Sequence, residues 1–157
     1  MTEGEKAPDF TMPASGGRTV SLNGQKGKPF VLYFYPKADT PGCTKEACAF
    51  EESIPAFQDI PALNDFTIIG VSPDAMPPIE KFAKKYNLTF PLASDADHAV
   101  AEAFGVWVEK SMYGKTYMGI ERSTFLIDAK GKIARAWHKV KVDGHATEVM
   151  TAVAQLK

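Results

Sequence analysis

Hydrophobic positions along the chain fall into short continuous runs and into stretches with helical spacing, and the two kinds alternate. Phe10-Thr11-Met12 and Arg18-Thr19-Val20-Ser21-Leu22 flank Ser15-Gly16-Gly17, whose glycines can take positive φ, so the pattern predicts a short opening β-hairpin. Phe30-Val31-Leu32-Tyr33-Phe34-Tyr35 then places six apolar, aromatic or β-branched residues in a row before Pro36, as a strand buried on both faces requires. Helix formers run from Cys43 to Leu63, with Pro55 and Pro61 expected to break or kink the stretch. Residues 66–72 predict a second buried strand. Ile79, Phe82, Ala83 and Tyr86 recur at helical spacing between Pro77 and Asn87, with the prolines tolerated in a first turn. A short helix is expected from Asp97, as N-cap, to Phe104, with Gly105 behind it as C-cap. Thr124-Phe125-Leu126-Ile127 and Ile133-Ala134-Arg135-Ala136-Trp137 around Asp128–Lys132 predict a second hairpin. A last helix starts near Asp143 and carries Ala146, Val149, Met150 and Val153 on one face.

Strand, helix, strand, helix, then hairpin and helix predict an α/β fold with a central mixed β-sheet flanked by helices. The order is similar to that of the thioredoxin fold with an added N-terminal β-hairpin. In open α/β sheets sites form at the carboxyl ends of strands, which directs attention to the loop after Tyr35. A length of 157 residues, set against about 150 per domain, predicts a single domain over 1–157. Folding such a chain removes roughly 70% of its extended surface, enough for a core without disulfide staples. The 18 Lys plus Arg against 19 Asp plus Glu leave a formal charge of -1, and no net field gathers nucleic acid or anionic lipid. The amino terminus, Met1 to Asp9, lacks the basic flank and apolar stretch of a signal peptide, and no apolar run approaches membrane-spanning length. The expectation is a cytoplasmic protein with no membrane or nucleic-acid partner.

In a reducing compartment two thiols are more often inert, metal-binding or catalytic than permanently bridged. Cys43 follows Pro41-Gly42 at the expected start of a helix, where unpaired N–H groups and the macrodipole favour an anion. Such a position lowers a cysteine pKa from about 8.5 toward the range of about 3.5–7.5, and the thiolate is the reactive form. Thr40 offers a hydroxyl that can cap the helix or donate to a substrate oxygen, and Pro36 closes the strand and stiffens the loop. Cys48 lies five positions on, and in an intact helix the two Cα atoms stand roughly 8.7 Å apart. Disulfides usually need less than about 6.8 Å, so bridging requires the first helical turns to unwind, and the spacing predicts a switch. Other readings of these residues stay open. Two buried inert thiols would use the same pattern. A zinc site would have to draw on His98, His138 and His145, whose spacing does not fit the usual ligand pair. A Cys–His hydrolase would need one of those histidines beside Cys43.

The segment Phe34-Tyr35-Pro36-Lys37-Ala38-Asp39-Thr40-Pro41-Gly42-Cys43-Thr44-Lys45-Glu46-Ala47-Cys48 resembles the active-site segment of the peroxiredoxins, in their bacterioferritin comigratory protein, or peroxiredoxin Q, branch. Ser94–His98, Phe104–Trp107, Gly114–Tyr117 and Gly119–Asp128 are similar to the same branch, and the resemblance covers nearly the whole chain. It implies a thiol peroxidase acting on hydrogen peroxide and organic hydroperoxides with no cofactor or metal. By position, Cys43 matches the peroxidatic cysteine that becomes a sulfenic acid. Thr40 matches the hydroxyl that hydrogen-bonds the peroxide, Pro36 the residue that shields the pocket, and Arg122 the arginine that holds the thiolate and polarises the O–O bond. Outside the resemblance Arg122 reads as an ordinary strand-edge arginine. Cys48 matches the resolving cysteine, whose intramolecular disulfide with Cys43 is reduced by thioredoxin, or by glutaredoxin, and the branch implies a monomer. A thiol-disulfide oxidoreductase, or a redox sensor or holdase, would use the same cysteine pair differently.

Overall fold

A computed structural model describes residues 2–58 and 66–156. The strands are β1 (Thr11–Ala14), β2 (Arg18–Ser21), β3 (Phe30–Phe34), β4 (Thr67–Ser72), β5 (Leu92–Ser94), β6 (Trp107–Met112), β7 (Lys115–Ile120), β8 (Ser123–Ile127) and β9 (Ile133–Trp137). The helices are α1 (Pro41–Gln58), α2 (Met76–Lys85), α3 (Ala99–Ala103) and α4 (His145–Ala154). Seven strands form one mixed sheet in the order β2-β1-β5-β4-β3-β8-β9. Its centre, β3 with β4 and β4 with β5, is parallel, and the flanking pairs are antiparallel. The opening hairpin therefore joins the main sheet, through Ala14 opposite Ala93.

All five residues of β3 are buried because the sheet is covered on both sides. With a period of two, Val31 and Tyr33, continued by Tyr35, pack among Cys43, Ala47 and Phe50 of α1, Ile79 and Phe82 of α2, and Val149 of α4. Phe30, Leu32 and Phe34 face the other way, into a cluster with Phe10, Met12, Phe104, Phe125 and Ile127. Burial of each large apolar side chain contributes about 1.5–3 kcal/mol, and this double layer is what holds the carboxyl end of β3 still.

Several expected features differ in the structure. Tyr35 lies beyond β3, although its N–H still donates to the Val71 carbonyl at 2.9 Å and lengthens the ladder by one bond. The helix from the cysteine region continues through Pro55, which sits in its last turn and withholds an N–H from one carbonyl only. The expectations at Pro61 and Leu63 fall outside the described residues. Asp97 is not the N-cap of α3. His98 occupies that place in a left-handed conformation, and the buried Asp95 carboxylate accepts the Val100 and Ala101 N–H groups at 3.1 and 2.8 Å. Asp97 accepts from the Ala99 N–H at 3.2 Å. The short strand β5 and the hairpin β6–β7, a separate two-stranded sheet, are additions to the expected elements. The hairpin turns at Tyr113 and Gly114, with φ of 52° and 77°, the mirror-image turn that matches strand twist.

Gly70 of β4 is paired with Tyr33 on one side and Leu92 on the other. A β-carbon there would lie 2.8 Å from both the Leu92 Cδ2 and the Tyr33 Cζ. Gly70→Ala is therefore expected to destabilise the protein by about 1–3 kcal/mol through overpacking next to the site. Urea denaturation checks this, and an unchanged midpoint would show that Tyr33 and Leu92 can part freely.

Candidate active site

The chain leaves the sheet at Tyr35 and reaches α1 through Pro36–Thr40, a loop held from both sides. The Ala38 N–H donates to the Asp74 carboxylate at 2.7 Å, and Asp74 also accepts from the Ser72 hydroxyl at the end of β4. Asp39 takes a positive φ of 59°, a costly conformation for a residue with a side chain. Its carboxylate accepts from the Tyr86 hydroxyl at 2.7 Å and the Lys85 ammonium at 2.9 Å, contacts that fix the turn against the end of α2. The Thr44 N–H donates to the Thr40 carbonyl at 2.8 Å, so Thr40 stands at the threshold of α1 and Cys43 lies in its first turn.

Cys43 is buried and its sulfur receives a hydrogen bond from Arg122 Nη2 at 3.2 Å. Arg122 comes from the junction between β7 and β8, directly before the strand that pairs with β3. Its other terminal nitrogen, Nη1, donates to Glu46 Oε1 at 2.6 Å. The guanidinium thus spans two groups of one helix face, and that face is fixed by α-helical spacing. Cys43, Glu46, Ala47 and Phe50 fall at i, i+3, i+4 and i+7 and all point inward. Gly42 leaves room beside them: a β-carbon there would sit 3.4 Å from Arg122 Nη2.

The charges of this cluster oppose one another. Glu46 is 1% exposed, and burial pushes its carboxyl up to about 7 despite the pull of Arg122. Burial also works against the Arg122 charge, but Glu46 and Cys43 outweigh it and hold the guanidinium more firmly protonated than usual. The second oxygen of Glu46 has no hydrogen-bond partner among the described residues, and neither does the Tyr33 hydroxyl beneath it. A protonated Glu46 leaves the whole Arg122 charge to the sulfur, whereas an ionised Glu46 competes for it.

The structure brings Cys43 and Arg122 into contact and places Thr40 and Pro36 on the loop that leads to Cys43. The Thr40 hydroxyl donates to the Lys37 carbonyl at 2.9 Å, so its proton is turned back into the loop. Half-buried Pro36 follows Tyr35 and, having no N–H, ends the ladder. Cys48 is a free, half-buried thiol on α1. Burial, then the charges of Glu52 and Glu51, push its proton affinity up, the opposite of what a nucleophile needs. His145 is buried behind α1, 2.7 Å from the Thr124 hydroxyl and edge-on to Phe50. Burial drives its pKa down to about 4, which keeps the ring neutral. The partner of the Cys43 sulfur is thus a guanidinium, the arrangement for stabilising a thiolate. Sequence reasoning missed Glu46, although a carboxylate on the apolar stripe of a helix calls for a cation and marked it.

Comparison with known proteins agrees with this geometry. The AhpC/TSA family model matches residues 4–136. Peroxiredoxin Bcp of Bacillus subtilis is 50% identical over 153 residues, covering 98% of this chain and 95% of that protein. A structure of a Xanthomonas campestris peroxiredoxin Q variant superposes with a TM-score of 0.88 at 40% identity, covering 98% of each chain. The bacterioferritin comigratory protein of the same organism, studied in trapped intermediate and ligand complexes for its alkyl peroxide reduction activity, gives a TM-score of 0.85 at 43% identity, covering 92% of this chain and 90% of that one. A helix start that presents a cysteine to a half-buried arginine, on a fold that these relatives share along almost their full length, makes this chain a peroxiredoxin of the AhpC/TSA family, in its Bcp, or peroxiredoxin Q, branch.

Proposed function

We propose that this thiol peroxidase turns over through Cys43 as nucleophile and Cys48 as resolving thiol, with thioredoxin restoring the dithiol. The observation that carries the reading is the Arg122 Nη2 to Cys43 Sγ hydrogen bond of 3.2 Å at the first turn of α1. The thiolate attacks one peroxide oxygen, the O–O bond breaks, and water or an alcohol leaves with the second oxygen after taking up a proton. Arg122 lies beside the sulfur where charge moves from S to O, and stabilising such charge is worth about 10²–10³ in rate per donor. The Thr40 hydroxyl supplies a second donor by rotating from the Lys37 carbonyl toward the peroxide, and Pro36 keeps water from the pocket. Cys48 then displaces hydroxide, as water, from the Cys43 sulfenic acid and forms the disulfide. The contrast in environment supports the division of labour: Cys43 has a cation and helix N–H groups, while Cys48 has Glu51 and Glu52. The substrates are hydrogen peroxide and organic hydroperoxides, and the enzyme works as a cytoplasmic monomer. A redox sensor would need a single oxidation event, and sustained turnover with peroxide and thioredoxin separates the two.

One equivalent of hydrogen peroxide added to the reduced protein is expected to consume both thiols and lower the intact mass by two hydrogens. Cys43→Ser should lose peroxide consumption by several orders of magnitude. Cys48→Ser should react once and then stop at the sulfenic acid or overoxidise. Equal first-turnover losses in the two variants would contradict the assigned roles.

Because the Cys43–Cys48 bond requires the start of α1 to open, oxidation should raise amide exchange over residues 42–50. Unchanged protection there in the disulfide form would remove the unwinding step.

Glu46 and His145 give folding opposite dependences on pH. Glu46 is raised from 4.5 to about 7, so its contribution is complete below about 4.5 and is lost as pH rises through about 7. His145 is lowered from 6.5 to about 4, so its contribution is present above 6.5 and is lost as pH falls through about 4. Between these limits the two offset. Glu46→Gln should leave the histidine unopposed, and its urea midpoint should fall more steeply than that of the parent between pH 6.5 and 4.5. Parallel profiles for the two proteins would show that Glu46 titrates normally in the fold.

A further inference from the structure

The β6–β7 hairpin carries one half-buried lysine that the peroxidase reading leaves unused. Register pairs Lys110 with Tyr117 and Val108 with Gly119, so these side-chain positions share one face of the hairpin. Trp107 and Ile120 lie on the opposite face, where Trp107 stacks on His98 at 4.1 Å and Ile120 is buried. Gly119 is one pair nearer the base of the hairpin than Lys110, and a β-carbon at Gly119 would meet Lys110 Cδ at 3.4 Å and Cε at 3.7 Å. The missing side chain leaves a channel, and the Lys110 stem runs along it toward the base, where Glu121 and Arg122 follow β7. Lys110 is half-buried, and none of the ion pairs among the described residues involves it.

The groups around it are those of the active site. Burial and the neighbouring Arg122 make its proton easier to lose, while Cys43 and Glu121 favour the charged form. Glu121 itself approaches His138 at 3.5 Å, and Glu46 is engaged by Arg122. Arg122 is shared with a carboxylate, and the Lys110 charge is favoured by two anions, Glu121 and Cys43, of which the Cys43 thiolate is the one the reaction needs.

We propose that Lys110 is a positioning residue for the peroxidase reaction: threaded over Gly119, it supplies a second positive charge that favours the Cys43 thiolate alongside the Arg122 shared with Glu46. The inference rests on the reading of Cys43 as the attacking thiol. It accounts for a lysine stem laid along an otherwise exposed hairpin toward its base, and it gives the separate two-stranded sheet a role in the chemistry. Lys115, next to the tip and paired with Met112, carries the same charge on the same face but farther from the base, and serves as the internal control.

The test is the pH profile of Cys43 alkylation by iodoacetamide in the reduced full-length protein, with intact mass and a Cys43→Ser variant confirming which thiol is labelled. Lys110→Met should slow alkylation below the midpoint of the profile by about three- to tenfold, which corresponds to a shift of about half to one pH unit, and leave the high-pH plateau unchanged. Lys110→Arg should restore the parent profile, and Lys115→Met should leave it in place. Peroxide consumption at neutral pH should fall with the alkylation rate. A Lys110→Met profile that superimposes on the parent overturns the proposal, including the case in which that variant only loses thermal stability. A Lys115→Met shift as large as that of Lys110→Met overturns it as well, since the effect would then be unspecific charge. Equal labelling of the parent and Cys43→Ser would overturn the nucleophile assignment and the proposal together.

Discussion

One guanidinium ties this structure together. Arg122 is 17% exposed in its side chain and donates to Glu46 on one nitrogen and to Cys43 on the other. A charge so placed has lost most of its water, and removing one partner from a buried pair costs more than the pair itself contributes. Arg122 must therefore be delivered accurately, and its position follows from β8, whose residues Ser123 to Ile127 pair with Phe34 to Phe30. The same strand β3 delivers the loop to Cys43. Cys43 and Arg122 thus come from adjacent strands of a sheet buried on both faces, and the distance between them is set by backbone ladders, with little left to side-chain choice.

Against that rigid sheet stands a helix with two tasks. In the proposed cycle the first turn of α1 presents Cys43 in the reduced state, and the first turns must surrender helical structure before Cys48 can reach the same sulfur. The anchors of α1 are arranged accordingly. Ala47 and Phe50 pack on the sheet side, and Ser53 donates to the Ala49 carbonyl within the helix. The segment before Cys43 is held by polar contacts, the part-buried one of Asp74 and the exposed ones of Asp39 and Thr40, of which the exposed ones break at small cost.

The sequence made the parts governed by local rules legible. Six consecutive buried residues mark β3 and the Pro41-Gly42-Cys43 segment marks the first turn of α1, while the nucleophile and the unwinding toward Cys48 belong to the proposed cycle. Arg122 was legible only through family resemblance, because its meaning comes from the pairing of β8 with β3 across about ninety residues of chain. Asp95 lost its role to Asp97 in the reading because the left-handed turn at His98 moves the helix start past the nearer carboxylate. The hairpin β6–β7 was missed because it is exposed on much of both faces, so apolar and polar residues do not alternate cleanly, and its turn uses Tyr113 where Asn or Asp is the usual signal. Glu46 stood in view within the motif and was given no role, though helical spacing puts it on the stripe with Cys43.

Glu46 also bears on why both anchors of Arg122 lie on the helix that the proposed cycle must open. The Cys43 sulfur and Glu46 hold the guanidinium jointly, and the start of α1 is stabilised by both contacts. In the proposed cycle, peroxide converts the thiolate to a neutral sulfenic acid, and the attraction between Arg122 and the sulfur weakens at that moment. Glu46, whose carboxyl loses its proton only at about pH 7, is then the remaining restraint, and it lies between Cys43 and Cys48 in the segment that must unwind. Opening the helix breaks that contact as well and returns a buried carboxyl to water, where its ordinary acidity makes it ionise readily. The loss of charge on sulfur and the relief of a buried acid both favour the open form, so the chemistry of the first step loosens the structure that the second step requires to be loose.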